Sequence, residues 1–195
     1  MLKSKLLRAV ACTVFLLAGN QAQAAECGNN GSGFSGFLKA FHKEAAANGI
    51  GRQALAVLDG TTYDAGIIKK DRAQNIFSQS FLEFQARMIT DYRIKQGAAL
   101  VQKHKAIFSR VEKQFGVPAP VMVAFWALET DFGANTGDLP TVQSLATLAW
   151  DCRRPEKFRP QLMAALELIQ RGDLRPDEMR GAWAGEIGQT QFLPY

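Results

Sequence analysis

Only two histidines, His42 and His104, and three cysteines, Cys12, Cys27 and Cys152, occur in the 195-residue chain. That scarcity removes whole classes of chemistry. The histidines stand far apart, each on a predicted helix, so neither a histidine-based metal site nor a serine triad has its parts. No glycine-lysine phosphate loop or dinucleotide fingerprint is present. Beyond the first 24 residues no apolar run approaches the roughly 20 residues that a membrane-spanning helix needs. Strand-like alternation of apolar and polar residues is missing, as are repeats and long linkers. The expectation is one mainly helical domain whose chemistry rests on carboxylates.

The first residues read as a leader for export. Lys3, Lys5 and Arg8 precede a short apolar stretch from Ala9 to Gly19, and Ala22-Gln23-Ala24 supplies the small-x-small cleavage pattern. A signal peptide over 1–24 followed by a domain over 25–195 is therefore expected, with a soluble product in the periplasm. Of the formal charge of +5, three positive residues belong to the leader, which leaves +2 on the exported chain. So mild a bias gives no support for nucleic-acid binding. Export also leaves two cysteines, Cys27 and Cys152. In an oxidising compartment they most simply form one disulfide, worth about 4 kcal/mol in the chain-entropy view, the other reading being two unpaired thiols.

Helical periodicity covers most of the chain. Phe34, Phe37, Leu38 and Phe41 predict a helix that stops at Asn48-Gly49. A short helix is expected from Arg52 to Leu58. Ile94, Ala98, Val101, Phe108, Val111 and Phe115 describe one stripe on a longer helix closed by Gly116. Pro120 suits the first turn of the next helix, another begins near Leu139-Pro140-Thr141, and a last one runs from Glu156 to Arg171. Two segments differ. Thr61-Thr62-Tyr63-Asp64 is a polar connection that can line a cleft, Tyr63 included. Gly181 to Pro194 holds three glycines, Trp183, Glu186 and two glutamines, the composition of a sugar-binding wall or of a turn around a core tryptophan.

Glu129 is the one charge between Val121 and Thr130. A helix so apolar is expected to be buried on most of its circumference, where an ionised carboxylate is costly. Burial and the negative end of the helix dipole both favour the protonated form of a carboxyl, as a general acid requires. The other reading is a structural glutamate satisfied by an arginine or by backbone amides. Ordinary glycosidases need two carboxylates, and Glu186 is the available second; a single acid suffices where the sugar supplies its own nucleophile.

The run FWALETDFG (125–133), then LPTVQSLATLAWDCRRPEKFRP (139–160) and MRGAWAGEIGQTQFLP (179–194), resembles the lytic murein transglycosylases related to membrane-bound lytic transglycosylase B. The likeness extends upstream through TTYDAGIIKKDRAQNIFSQSF (61–81). It implies a lysozyme-like helical catalytic domain that cleaves peptidoglycan glycan strands between N-acetylmuramic acid and N-acetylglucosamine. Glu129 stands in place of the family's single acid and base, which closes a 1,6-anhydro ring on the muramoyl residue. No metal or organic cofactor is implied. Gln191 matches the glutamine of the sugar-binding cleft. Arg153 and Arg154 match an arginine pair suited to anionic lactyl or peptide groups, a solvated charge pair being the other reading. Ala182 replaces a serine common in relatives, and Glu186 stands where some carry alanine. The family continues past Tyr195 with further helices and a cleft-lining tyrosine, so the domain is expected to be incomplete at its C-terminal end. A non-catalytic peptidoglycan- or partner-binding homologue, or a hydrolytic muramidase using Glu186, are the alternatives.

Overall fold

The computed structural model describes residues 27–73 and 78–195; the expected leader lies outside them. Phenylalanines at helical spacing build the first element. Helix α1 (Phe34–Ala47) turns Phe34, Phe37, Leu38, Phe41 and Ala45 inward and ends at Asn48, after which Gly49 takes φ +90°. Helix α2 (Arg52–Leu55) tightens into a 3-10 turn over Ala56–Leu58. Asp64 caps α3 (Ala65–Arg72), its Oδ1 accepting from the Gly66 and Ile67 amides at 2.7 and 3.4 Å.

The centre of the fold is α8 (Thr141–Trp150), where only Gln143 reaches the surface. It packs chiefly on α9 (Pro155–Arg171), whose Phe158, Leu162, Ala165 and Leu166 are buried. With α1, α2 and α3 this pair encloses one continuous apolar core. The chain start is laid on the end of α8. Gly28 N donates to Trp150 O (3.0 Å), Cys152 N donates to Gly28 O (3.2 Å), and a disulfide joins Cys27 to Cys152.

A second group of helices buries far less. It comprises α4 (Phe81–Met88), α5 (Asp91–Lys103), α6 (Lys105–Phe115) and α7 (Ala119–Thr130). Ser80 and Glu83 form a reciprocal capping box on α4, and the Thr90 hydroxyl caps α5. The single stripe expected from Ile94 to Phe115 is divided. The chain leaves helical geometry at His104, and Ile94 and Phe115 are exposed. His104 packs its ring edge-on against Phe108 and Trp126, so tertiary contact breaks a pattern that reads as continuous. Helix α5 lies on α7 through Gly97, where an added Cβ would meet Val123 Cγ1 at 3.1 Å.

A small sheet, unannounced by any alternation, borders α8. Strand β1 (Leu139–Pro140) pairs antiparallel with β2 (Arg180–Gly181), Leu139 opposite Gly181. Single bridges then link Gly181 to Ile187 and Ile187 to Phe192. Strands this short cannot show a period of two.

Candidate active site

Helix α7 starts with Pro120 in its first turn, as expected, and is apolar on all sides. Burial, however, is confined to Val123, Ala127 and Thr130, while Val121, Phe125 and Leu128 are exposed. The expected burial around most of the circumference is therefore corrected: among the described residues α5 and α6 cover one side only. Glu129 is exposed, and its carboxylate makes no hydrogen bond or ion pair with any described residue. Among the described residues neither an arginine nor a backbone amide satisfies it. A cavity of about 580 Å³ is not its site; that apolar groove runs between α5 and α7, lined by Ile94, Val101, Ala124 and Leu128 among others.

The turn after Glu129 is held unusually tightly. Asp131, Phe132 and Gly133 all have positive φ, at 49°, 60° and 90°. For the first two this left-handed geometry costs about 1–2 kcal/mol each, so neighbouring contacts must offset it. Arg93 Nε donates to Asp131 Oδ1 at 2.6 Å, and Asn135 Nδ2 donates to Asp131 Oδ2 at 3.2 Å. The Arg93 hydrogen bond and charge, against a smaller opposing effect of burial, hold the Asp131 carboxyl below the usual carboxylate range. Phe132 meets Trp126 edge-on at 5.6 Å.

Thr130 ties this turn to the glycine-rich segment. Its side chain is buried; Oγ1 donates to Gln189 O at 2.7 Å and accepts from Gly133 N at 2.9 Å. Close approach elsewhere depends on glycine. A Cβ on Gly137 would come 2.3 Å from the Gly181 backbone, and one on Gly185 would come 2.4 Å from Leu145 Cδ2. Gln191, at φ +53°, donates from Nε2 to Thr136 O (3.0 Å) and Gly188 O (2.8 Å). Glu186 is half-buried on the same loop, and its carboxylate has no partner among the described residues. The geometry thus gathers the end of α7, the 131–137 turn and the 181–192 loop around β1.

Tyr63, Arg153 and Arg154 are collected elsewhere, beside the C-terminal end of α8. That is about 15 Å from β1, the length of this ten-residue helix. Tyr63 packs edge-on against Phe34 at 5.8 Å; burial, then the Asp151 charge, raise its phenol pKa above the ordinary value, against the Arg72 charge. Arg153 and Arg154 meet one buried acid, Asp71. Arg153 Nη1 donates to Asp71 Oδ2 at 2.6 Å, Arg154 Nη2 pairs with Asp71 Oδ1, and Arg72 bridges Asp71 to Asp151. Neither half of this arrangement, the acid or its bridge to Asp151, was visible from the arginine pair alone. The bonds of Thr130 and Arg93 have no counterpart in the sequence pattern, whereas Gln189 lies in the stretch whose composition suits a sugar-binding wall.

A mainly helical domain with an unpaired acid at a helix end, faced by a glycine-rich loop, is the class that fold and site define. The chain belongs to the Transglycosylase SLT domain family, which it matches over residues 33–195. It is 27% identical over 116 residues to membrane-bound lytic murein transglycosylase B of Escherichia coli strain K12, covering 59% of this chain and 32% of that protein. SltB3 from Pseudomonas aeruginosa, solved in complex with NAG-NAM-pentapeptide, superposes with a TM-score of 0.78 and 36% identity, covering 83% of this chain and 43% of that one. SltB3 has also been solved with NAG-anhNAM-pentapeptide. The E. coli lytic transglycosylase Slt35, solved with calcium, shares the fold at a TM-score of 0.74 and 21% identity over 89% of this chain and 56% of that one. The fold is accordingly lysozyme-like. The chain spans under half the length of SltB3 and about a third of the curated E. coli relative. No helix among the described residues is long and apolar enough to cross a membrane.

Proposed function

We propose that the chain is the catalytic part of a peptidoglycan lytic transglycosylase, with Glu129 acting first as acid and then as base. The observation that carries this reading is the unpaired, exposed Glu129 carboxylate on a helix end that the next residue, Thr130, bonds to the glycine-rich loop. Family membership and the glycan ligands of SltB3 support the substrate class. Glu129 protonates the glycosidic oxygen as the bond to muramoyl C1 breaks, and the N-acetylglucosamine 4-hydroxyl departs. The muramoyl acetamido oxygen bonds to C1 and stabilises the positive charge. The Glu129 carboxylate then takes the proton of the C6 hydroxyl; O6 bonds to C1 as the acetamido oxygen leaves, and no water is consumed.

The 181–192 loop forms the sugar-facing wall in this reading, with Gln191 and Glu186 on it. Arg153, Arg154 and Tyr63 offer an outlying contact for anionic groups of the glycan. Export to the periplasm after cleavage near Ala24 accords with the Cys27–Cys152 disulfide, since such bonds persist in oxidising compartments. Digesting purified sacculi with the exported chain and with Glu129→Gln, then weighing the released muropeptides, tests the assignment. Anhydro-ended products lost in Glu129→Gln are expected. Reducing-ended products would instead favour hydrolysis through Glu186, the half-buried unpartnered carboxylate. Binding without release would mark a non-catalytic homologue, and anhydro products undiminished in Glu129→Gln would remove the role given to that residue.

A further inference from the structure

Two glutamine amides stand on the glycine-rich loop, and the structure treats them differently. Gln191 uses both hydrogens of its Nε2 on backbone carbonyls, those of Thr136 and Gly188, and is half-buried. Only its oxygen is left for a ligand. Gln189 has the opposite arrangement. Its backbone carbonyl accepts from Thr130, while its side chain is exposed and bonds to no described residue. That side chain lies over Gly133, so near that a Cβ there would sit 2.6 Å from its Oε1. Gly133 is four residues after Glu129. A primary amide with donor and acceptor both open is therefore parked over the turn that directly follows the acid, in space that only a glycine leaves.

We infer that Gln189 is the side chain that reads the sugar's acetamido group beside the scissile bond, and that Gln191 braces the loop. The acetamido group presents one N–H and one carbonyl, and the Gln189 amide offers the matching acceptor and donor. Thr130 acts as a positioning residue in this scheme, fixing the Gln189 backbone to the same helix end that carries Glu129. The inference rests on the proposed function, because it needs an N-acetylated glycan at Glu129.

The test is binding of soluble, uncross-linked NAG-NAM strands, N-acetylated or chemically de-N-acetylated, to the exported chain carrying Glu129→Gln so that no strand is consumed. Adding Gln189→Ala should weaken binding of N-acetylated strands roughly three- to tenfold, the effect of losing one or two neutral hydrogen bonds. De-N-acetylated strands should bind equally to both. Gln189→Glu, which keeps the acceptor and loses the donor, should fall between. Adding Gln191→Met should lower the melting temperature yet retain the preference for N-acetylated strands. Full preference for N-acetylated strands in Gln189→Ala would overturn the assignment alone. Failure of the parent chain to bind either strand would overturn the proposed function and this inference together.

Discussion

Replacing Thr130 by valine keeps the shape of a buried side chain and deletes one hydroxyl. That hydroxyl donates to Gln189 O at 2.7 Å and accepts from Gly133 N at 2.9 Å. Because volume and burial barely change, the loss is almost wholly that of the two bonds, each worth about 1 kcal/mol net. The groups left behind fare differently. Gln189 is exposed, so water can reach its carbonyl; Gly133 is half-buried, and its amide is left short of a partner at the higher end of the usual cost. Together these give a destabilisation of about 2 kcal/mol, which on a chain of this size lowers Tm by about 4–8 °C. Urea unfolding followed by circular dichroism measures the first figure, and amide exchange at Gly133 shows whether the turn opens. Thr130→Ser retains the hydroxyl and should keep most of the stability. A loss under about 0.5 kcal/mol in Thr130→Val, with Gly133 as protected as in the parent, would refute the claim that this hydroxyl ties α7 to the loop.

The buried acid Asp71 should matter to stability. Asp71→Ala should cost about 2–3 kcal/mol by thermal or urea unfolding, less than a fully buried pair because Arg72, Arg153 and Arg154 keep 33–45% exposure and rehydrate. Burial pushes the Asp71 carboxyl upward, but hydrogen bonds and charge from Arg153 and Arg154 prevail and hold it below 3.8. Its contribution is thus fully present above that value and is lost as the pH falls below it, so Asp71→Ala and the parent should converge in stability in strong acid. Replacing Cys27 and Cys152 with alanine should cost up to about 5 kcal/mol, since the bridge spans a separation of 125 residues. Unchanged unfolding midpoints in the alanine pair would show that the bridge constrains little.

What the chain discloses before folding is mostly local. The phenylalanine spacing of α1, its Asn48-Gly49 stop, the proline start of α7 and the Arg171 end of α9 are set within a few residues, and each stands where expected. Apart from the Cys27–Cys152 pair, contacts across distant sequence were not legible. Thr130 finds Gln189 across 59 residues, and Asp71 finds its arginines across 82 and 83. Nothing in either segment names the other. The division of the long helix at His104 has the same origin, since it follows from packing against Trp126. Apolar composition misled about α7 because it records what a helix can bury, whereas the neighbouring helices decide which side it does bury.

The exposure of Glu129 reverses the expectation of a buried carboxyl, yet it is compatible with the role proposed for that residue. Two acids stand two positions apart at the end of α7, and their surroundings divide the tasks. Asp131 is paired with Arg93 and bonded by Asn135, so it stays ionised and holds the strained turn to α5. Its two oxygens are taken up by those partners and are not offered to a ligand. Glu129 has no such partner, faces solvent, and sits where a polymer can reach it. Residues two apart do not face each other on a helix, so the pair cannot act as the two opposed carboxylates of an ordinary glycosidase. On the proposed reading a single group gives a proton and then takes one back, and the surrounding bonds from Thr130 and Asp131 fix the helix end while leaving that group free.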